Sequence, residues 1–393
     1  MAQAGIAQAP WVDHKRYLWL LGPGVPVIGL VALGLFQQLH WHWVVWMPML
    51  IVHGVLPLLD WIVGEDRENP PDSAIAALEA DPFYRWLLFA FVPLQLAVTL
   101  WGAWLFVNVD VPWYHQLGLG LSVGLVSGIA INTGHELGHK KNTLDQWLAR
   151  IALAPSWYGH FYVEHNRGHH KNVATPEDPA SSRMGETFWA FLPRTVVGSL
   201  KSAWHLEAER LAKQGRSAWS VHNQNLQSWA MSLVLFAAVV AWLGWAVLPF
   251  LIIQAVYGFS LLEVVNYLEH YGLLRQKGAD GRYERCQPRH SWNSNHIVTN
   301  LFLYHLQRHS DHHAFPARRF QALRHFDEGP QLPSGYAAML MVAYIPPLWF
   351  ALMDKKVLNH YSGDITQANL HPSKREALLA RYGQQKARTT ARA

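Results

Sequence analysis

The chain has 393 residues, 51% of them hydrophobic and only 15% charged, with 20 Trp, 23 His and a formal net charge of +5. That balance excludes an ordinary soluble enzyme and describes a multi-span membrane protein with one sizeable polar region. The single cysteine, Cys286, excludes internal disulfides, thiolate zinc fingers and iron–sulfur sites within the chain, so imidazole is the natural metal ligand here.

Met1 to Arg16 is a polar lead-in without a basic n-region, and no small-residue cleavage site follows, so no cleavable signal peptide is expected. Tyr17 to Leu39 and His42 to Val63 are apolar, long enough to span and joined by a tight turn. Gly22, Pro23, Gly24 and Pro26 predict a kink in the first. After a polar loop from Gly64 to Arg85, Trp86 to Val107 and Trp113 to Gly134 form a second apolar hairpin. At ~1.5 Å per residue the second of these rises about 33 Å, the thickness of the hydrocarbon core. His135 to Gln227 is polar, and Ser228 to Leu248 with Pro249 to Tyr271 makes a third hairpin. Beyond Arg275 only Tyr336 to Met353 is apolar. Pro346-Pro347 breaks that run, which reads as lying on the bilayer or packed on the polar domain.

The predicted fold is therefore all-α: six transmembrane helices in three hairpins, with a helical cytoplasmic domain. Residues 1–16 form a cytoplasmic N-terminal segment and 17–134 the first four spans. Residues 135–227 form one cytoplasmic region, 228–271 the last two spans, and 272–393 a cytoplasmic C-terminal region with a basic tail. Lysine and arginine set this orientation. None occurs from Tyr17 to Asp66, Trp86 to His139 or Ser217 to Leu274, so all 32 fall on one side, the inside by the positive-inside rule. Membrane lipid is then a partner, and nucleic acid is not expected to be one.

Histidine marks the inner ends of two spans: His135 and His139 after the fourth, and His270 at the end of the sixth. His165, His169 and His170 follow in one cluster, and His309, His312 and His313 in another. Four-residue spacing puts His135 and His139 on one helical face as a chelating pair, and the later spacings predict one face for each cluster. A catalytic zinc takes three protein ligands, whereas nine imidazoles suit two metals with four or five each. His135-Glu136-x-x-His139 alone also matches the zinc metalloprotease pattern, and the surplus of ligands counts against that reading.

Polar stripes of Asn132, His135, Glu136 and His139, and of Glu263, Asn266 and His270, mark a bundle interior that Asp60 is placed to join. Taken alone, Asn132 and Asn266 equally suit a helix–helix hydrogen bond. Glu136, Glu164, Glu269 and Asp311 adjoin the histidines and are expected to accept the second imidazole N–H. His305 fits ligand spacing one turn before His309, while His160, His290 and His296 read as supporting or structural. His14, His40, His42, His53, His115, His222, His325, His360 and His371 read as ordinary surface or core residues. A metal site at the edge of lipid selects hydrophobic substrates, and attack on an unactivated hydrocarbon needs a redox metal with O₂. Zinc has no redox chemistry, and iron fits best, with copper left open. Val52, Leu56 and Leu59 are candidate walls of an apolar substrate tunnel. A metal transporter fits less well, since transporter sites lie near mid-membrane on broken helices.

The stretches 135–140 (HELGHK), 164–170 (EHNRGHH), 266–272 (NYLEHYG) and 306–313 (LQRHSDHH) resemble those of the membrane alkane monooxygenases. These are integral-membrane di-iron hydroxylases related to fatty acid desaturases and xylene monooxygenase. The resemblance runs from Lys15 to Tyr361 and includes Pro57-Leu58-Leu59-Asp60, Ala174-Thr175-Pro176 and the segment Ser291 to His296. It implies a bacterial inner-membrane enzyme whose nine histidines hold two iron ions on the cytoplasmic side. It further implies terminal hydroxylation of medium- to long-chain n-alkanes with O₂. Electrons would come from rubredoxin, itself reduced by an NAD(P)H-dependent reductase. With one cysteine, that carrier is a separate chain or a domain absent here. Arg282, Arg285, Arg289, Arg318, Arg319 and Arg324 offer a basic face to an acidic rubredoxin, or serve only to orient the protein. A fatty-acid or aromatic-methyl hydroxylase or a desaturase of the same fold is the near alternative. An intramembrane zinc protease is the alternative from another class.

Overall fold

Lipid offers no partner for backbone N–H and C=O, so each apolar run must satisfy its own as a helix. The computed structural model describes residues 11–390, with side chains as far as Gly383. The first ten residues of the lead-in and the last three of the basic tail lie outside the described residues. Among the described residues six helices are long and apolar enough to cross a membrane: α1 (Leu18–Leu39), α2 (His42–Val63), α3 (Pro82–Asn108), α4 (Trp113–Gly138), α5 (Gln224–Leu243) and α6 (Trp245–His270). No strand occurs among the described residues; pairing is limited to isolated bridges such as Glu65 with His296.

α4 is the post around which the others stand. α6, α3 and the Thr143–Leu153 helix pack along it, and most of its residues are buried. Glycine sets how close they come. Gly120, Gly124 and Gly128 repeat every four residues, and a Cβ on Gly124 would meet the Gln254 carbonyl at 2.8 Å. One on Gly128 would meet the Gly258 carbonyl at 2.9 Å. Such close approach supplies the van der Waals contact that holds helices together where lipid removes the hydrophobic drive. Ser127 Oγ donates to Gln254 Oε1 at 2.9 Å, so the seam satisfies its own polar groups.

Part of the polar region after α4 turns back into the bundle. Thr143–Leu153 runs beside α4, with Ala149, Ala152 and Leu153 against Gly134. Gln95 of α3 donates to the Ala152 carbonyl (3.1 Å), and Gln254 of α6 donates to the carbonyl of Pro155 (2.5 Å). The chain comes back at Phe161, whose ring lies 6.4 Å from that of His135. α5 packs on this returning helix, on α3 and on the Phe188–Ala212 helix. The pair Tyr336–Ala343 and Pro346–His360 is bent by 120°. Trp349 is buried there against Tyr267 and Tyr271, so this apolar run packs on the polar end of α6.

Candidate metal centre

Three helical segments and the end of α6 carry the nine histidines. His135 lies in the last turn of α4, and His139 caps that helix. Residues 161–172 form one helix whose middle, His165–His169, is a π turn. In an α-helix residues five apart point about 140° away from each other; the wider π turn brings His165 and His170 back onto one side. His309–Ala314 follows Tyr304 and His305, both in the left-handed region (φ 52° and 54°), a costly conformation for side-chain-bearing residues. Buried Arg308 anchors that turn by donating to the carbonyls of Leu323 (2.7 Å), Asp66 (3.0 Å) and Glu68 (3.0 Å).

All nine histidines converge, in two adjoining groups. His135, His139, His165, His170 and His312 form one; His169, His270, His309 and His313 form the other. Within each, the ring nitrogens lie within 4.8 Å of one another. Nε2–Nε2 separations are 2.8 Å for His135–His312, 3.0 Å for His165–His170 and 3.1 Å for His170–His312. In the second group they are 3.3 Å for His270–His309 and 2.9 Å for His309–His313. Neighbouring donors around an ion bonded at about 2.1 Å lie about 3.0 Å apart, so these spacings match ligand edges. Nε2 of His139 and of His169 is buried without a partner, as an atom reserved for a metal would be. An all-imidazole donor set without thiolate suits a first-row redox metal such as iron.

The expectation that each later cluster shows one face needs correction. His169 and His170 serve different groups, and so do His312 and His313. Each cluster therefore ties both groups together, and the rings of His170 and His313 lie 4.5 Å apart across the boundary. Burial holds His139, His165, His170, His309, His312 and His313 well below the ordinary imidazole value, in the neutral form that binds metal. His305, His290 and His296 belong to neither group. Their Nδ1 atoms meet the Phe320 carbonyl (3.1 Å), the Gln287 N–H (3.0 Å) and Ser294 Oγ (2.9 Å).

The neighbouring acids divide differently from their expected role. Glu136 points away from the ligands, pairing with Lys140 Nζ (2.8 Å) and accepting the Phe320 N–H (3.2 Å). On a helix a residue next to a ligand lies about 100° round from it, so Glu136 reaches its own i+4 lysine instead. Asp311 is turned the same way, held by Arg318 (2.6 Å) and the Arg324 N–H (2.9 Å). Glu164 has a buried Oε1 without a partner, and burial, with Asp178 nearby, pushes its carboxyl up to about 8. Glu269 Oε2 stands 3.2 Å from His309 Nε2, but that nitrogen already faces the second group; its Oε1 accepts from Tyr336 (2.9 Å). The acid that does receive an imidazole N–H is Asp178, 2.9 Å from His169 Nδ1 and itself held by Ser181 (2.6 Å). Against the cost of burial, the charge of Asp178 raises His169. Its sequence signal is the Pro176-Glu177-Asp178-Pro179 turn just after the second cluster.

A narrow apolar cavity of about 70 Å³ lies between α2, α4, α6 and the 299–306 and 337–340 segments. Val52 and Leu56 line it; Leu59 is turned outwards instead, 37% exposed. Asn132, one turn before His135, and Thr299 are its polar lining, and both are committed. Asn132 donates to the Leu303 carbonyl (2.7 Å), and Thr299 hydrogen-bonds to buried Asp60. Of the six arginines, Arg289 pairs with Glu284, Arg318 with Asp311 and Arg324 with Asp72, while Arg319 is half-buried. Arg282 and Arg285 are exposed.

The fatty acid desaturase family model matches residues 111–343. The alkane 1-monooxygenase of Acinetobacter baylyi is 51% identical, covering 95% of this chain and 92% of its own. Alkane 1-monooxygenase 1 of Alcanivorax borkumensis is 46% identical at the same coverage. The xylene/toluene monooxygenase hydroxylase component of Pseudomonas putida is 30% identical over 94% of both chains. With helices, histidines and relatives in agreement, the chain belongs to the alkane 1-monooxygenase family, within the fatty acid desaturase superfamily.

Proposed function

We propose that this protein hydroxylates medium- to long-chain n-alkanes at the terminal carbon. The alkane, O₂, two electrons and two protons give a primary alcohol and water, and the nine histidines hold two irons. One observation carries this reading: an apolar cavity without a charged lining residue ends one helical turn from His135, beside two all-imidazole groups. Bound iron would supply the O₂ chemistry needed to break an unactivated C–H bond.

The chain's own residues do the rest. Val52, Leu56, Leu125 and Leu261 enclose an alkyl chain and exclude water. The cavity offers no cationic group to a fatty-acid carboxylate, which favours the alkane over the fatty-acid alternative. Asp178 fixes the tautomer of His169, leaving Nε2 free for metal.

The further parts of the proposal rest on charge and composition. Lysine and arginine gather at the histidine end of the spans, which supports a bacterial inner-membrane protein of three hairpins with the metal site facing the cytoplasm. One cysteine leaves electron delivery to a rubredoxin, as a separate chain or a domain absent here, with exposed Arg282 and Arg285 at its docking face. The test is elemental analysis with a rubredoxin-coupled octane assay read by gas chromatography. Two irons per chain and 1-octanol are expected; one zinc per chain, an alkene or an internal alcohol would overturn the reading.

A further inference from the structure

Another face of α6 carries a second depression, about 620 Å³, between the 154–160 turn, the Phe188–Ala212 helix, α5 and α6. Val196, Leu200, Phe236, Ile252 and Val256 form its walls, and Tyr158 and His160 line it too. It opens towards hydrocarbon. Ile252 and Val256 are 57% and 46% exposed on a spanning helix. The Phe188–Ala212 helix carries Trp189, Val197 and Leu200 exposed on its outer side. An apolar outer stripe of this kind belongs in apolar surroundings.

His160 distinguishes this groove from ordinary lipid-facing surface. It is 4% exposed, and its Nε2 is buried with no hydrogen-bond partner among the described residues. Tyr158 is already committed, donating to Glu263 at 2.6 Å. No charged side chain lines the groove. The metal centre is close: the Tyr158 ring stacks on Phe161 at 6.4 Å, and the Phe161 ring lies 4.8 Å from that of His165.

We propose that this groove binds a straight-chain primary alcohol, with its hydroxyl on His160 and its chain along Val196, Leu200, Ile252 and Val256. A hydroxyl both donates and accepts, so it pairs with Nε2 in either tautomer. A carboxylate or phosphodiester head would lose its hydration there without meeting a cation, and an alkane would leave the nitrogen unpaired. Identifying the alcohol as the enzyme's own product rests on the function proposed above; the head-group chemistry does not. On that reading the groove is the way out to the bilayer, on a different face of α6 from the cavity that takes the alkane.

Equilibrium binding of radiolabelled 1-dodecanol to the iron-loaded protein in detergent tests this without turnover. Unlabelled 1-decanol should displace it, and dodecanoate should not. His160→Phe keeps a ring but removes the nitrogen, and Leu200→Trp fills the groove from its exposed side. Each should weaken alcohol binding roughly tenfold, the worth of about one hydrogen bond or comparable apolar contact, with iron content unchanged. Unchanged binding in both variants would overturn the site. So would displacement by dodecanoate, or by phosphatidylglycerol, which would assign the groove to membrane lipid. Iron loss in His160→Phe with normal binding in Leu200→Trp would overturn it too, because the His160 carbonyl caps the 161–172 helix (Glu164 N–H, 3.0 Å). Alcohol binding without octane turnover would support the site and refute the function proposed above.

Discussion

Asp178 is the residue on which the electronic state of the second group turns, since it alone among the nearby acids receives an imidazole N–H from a metal-facing histidine. Asp178→Asn should lower iron affinity or activity 10–100-fold, the usual cost of losing such a partner, read as iron retained against a chelator. Glu136→Gln should leave retention much closer to wild type, because Glu136 braces Lys140 and the Phe320 backbone. The pH dependence of the metal-free protein follows from the six imidazoles that burial holds below their ordinary 6.5. Their folded values are depressed, so the stability they contribute is complete above 6.5 and drains away as pH falls below it, where the unfolded chain alone takes up protons. His169, raised by Asp178, and Glu164, pushed up to about 8, work in the opposite sense but are two groups against six. The thermal midpoint at about pH 5.5 should lie below that at about pH 7.5. At this scale the sequence showed which histidines matter. It could not show their partition, because a π turn that no spacing rule anticipates groups His165 with His170 and not with His169.

The α4–α6 seam is the element that brings His135 and His139 to His270. Gly128 faces the backbone of Gly258 there with no room for a side chain. Gly128→Val should force the two helices apart at about 1–3 kcal/mol, lowering both the thermal midpoint and the iron content. Gly34→Ala, where a Cβ would make ordinary contact with Trp101, serves as the silent control. Hydropathy identified six spans because length and apolarity are local properties. The Thr143–Leu153 helix escaped it because Asp145 and Arg150 make the segment read as solvated. Within the fold these charges are met, Asp145 by Arg85 (2.8 Å) and Arg150 by the Gln227 side chain (2.5 Å). The four-residue glycine repeat of α4 was visible in the sequence, yet its partner, Gly258, could be named only from the packed structure.

For the molecule as a whole, metal held by the two histidine groups would act as a cross-link. The candidate ligands come from the end of α4, the 161–172 helix, α6 and the His309–Ala314 helix. Stripping iron with a chelator should therefore lower the thermal midpoint. Restoring ferrous iron should return it, with a gain of about 4 kcal/mol at a thousandfold excess over Kd. An unchanged midpoint would mean that the bundle alone holds the histidines in place. By itself the sequence singled out the six long apolar helices, imidazole as the candidate donor chemistry and the nine histidines that the fold brings together. Each of those rests on composition or on spacing within one segment. Tertiary structure alone decided how the nine divide, which acid supports them and where cavities open beside them. Those properties depend on residues far apart in the chain whose approach is set by helix packing, and no local pattern encodes that distance.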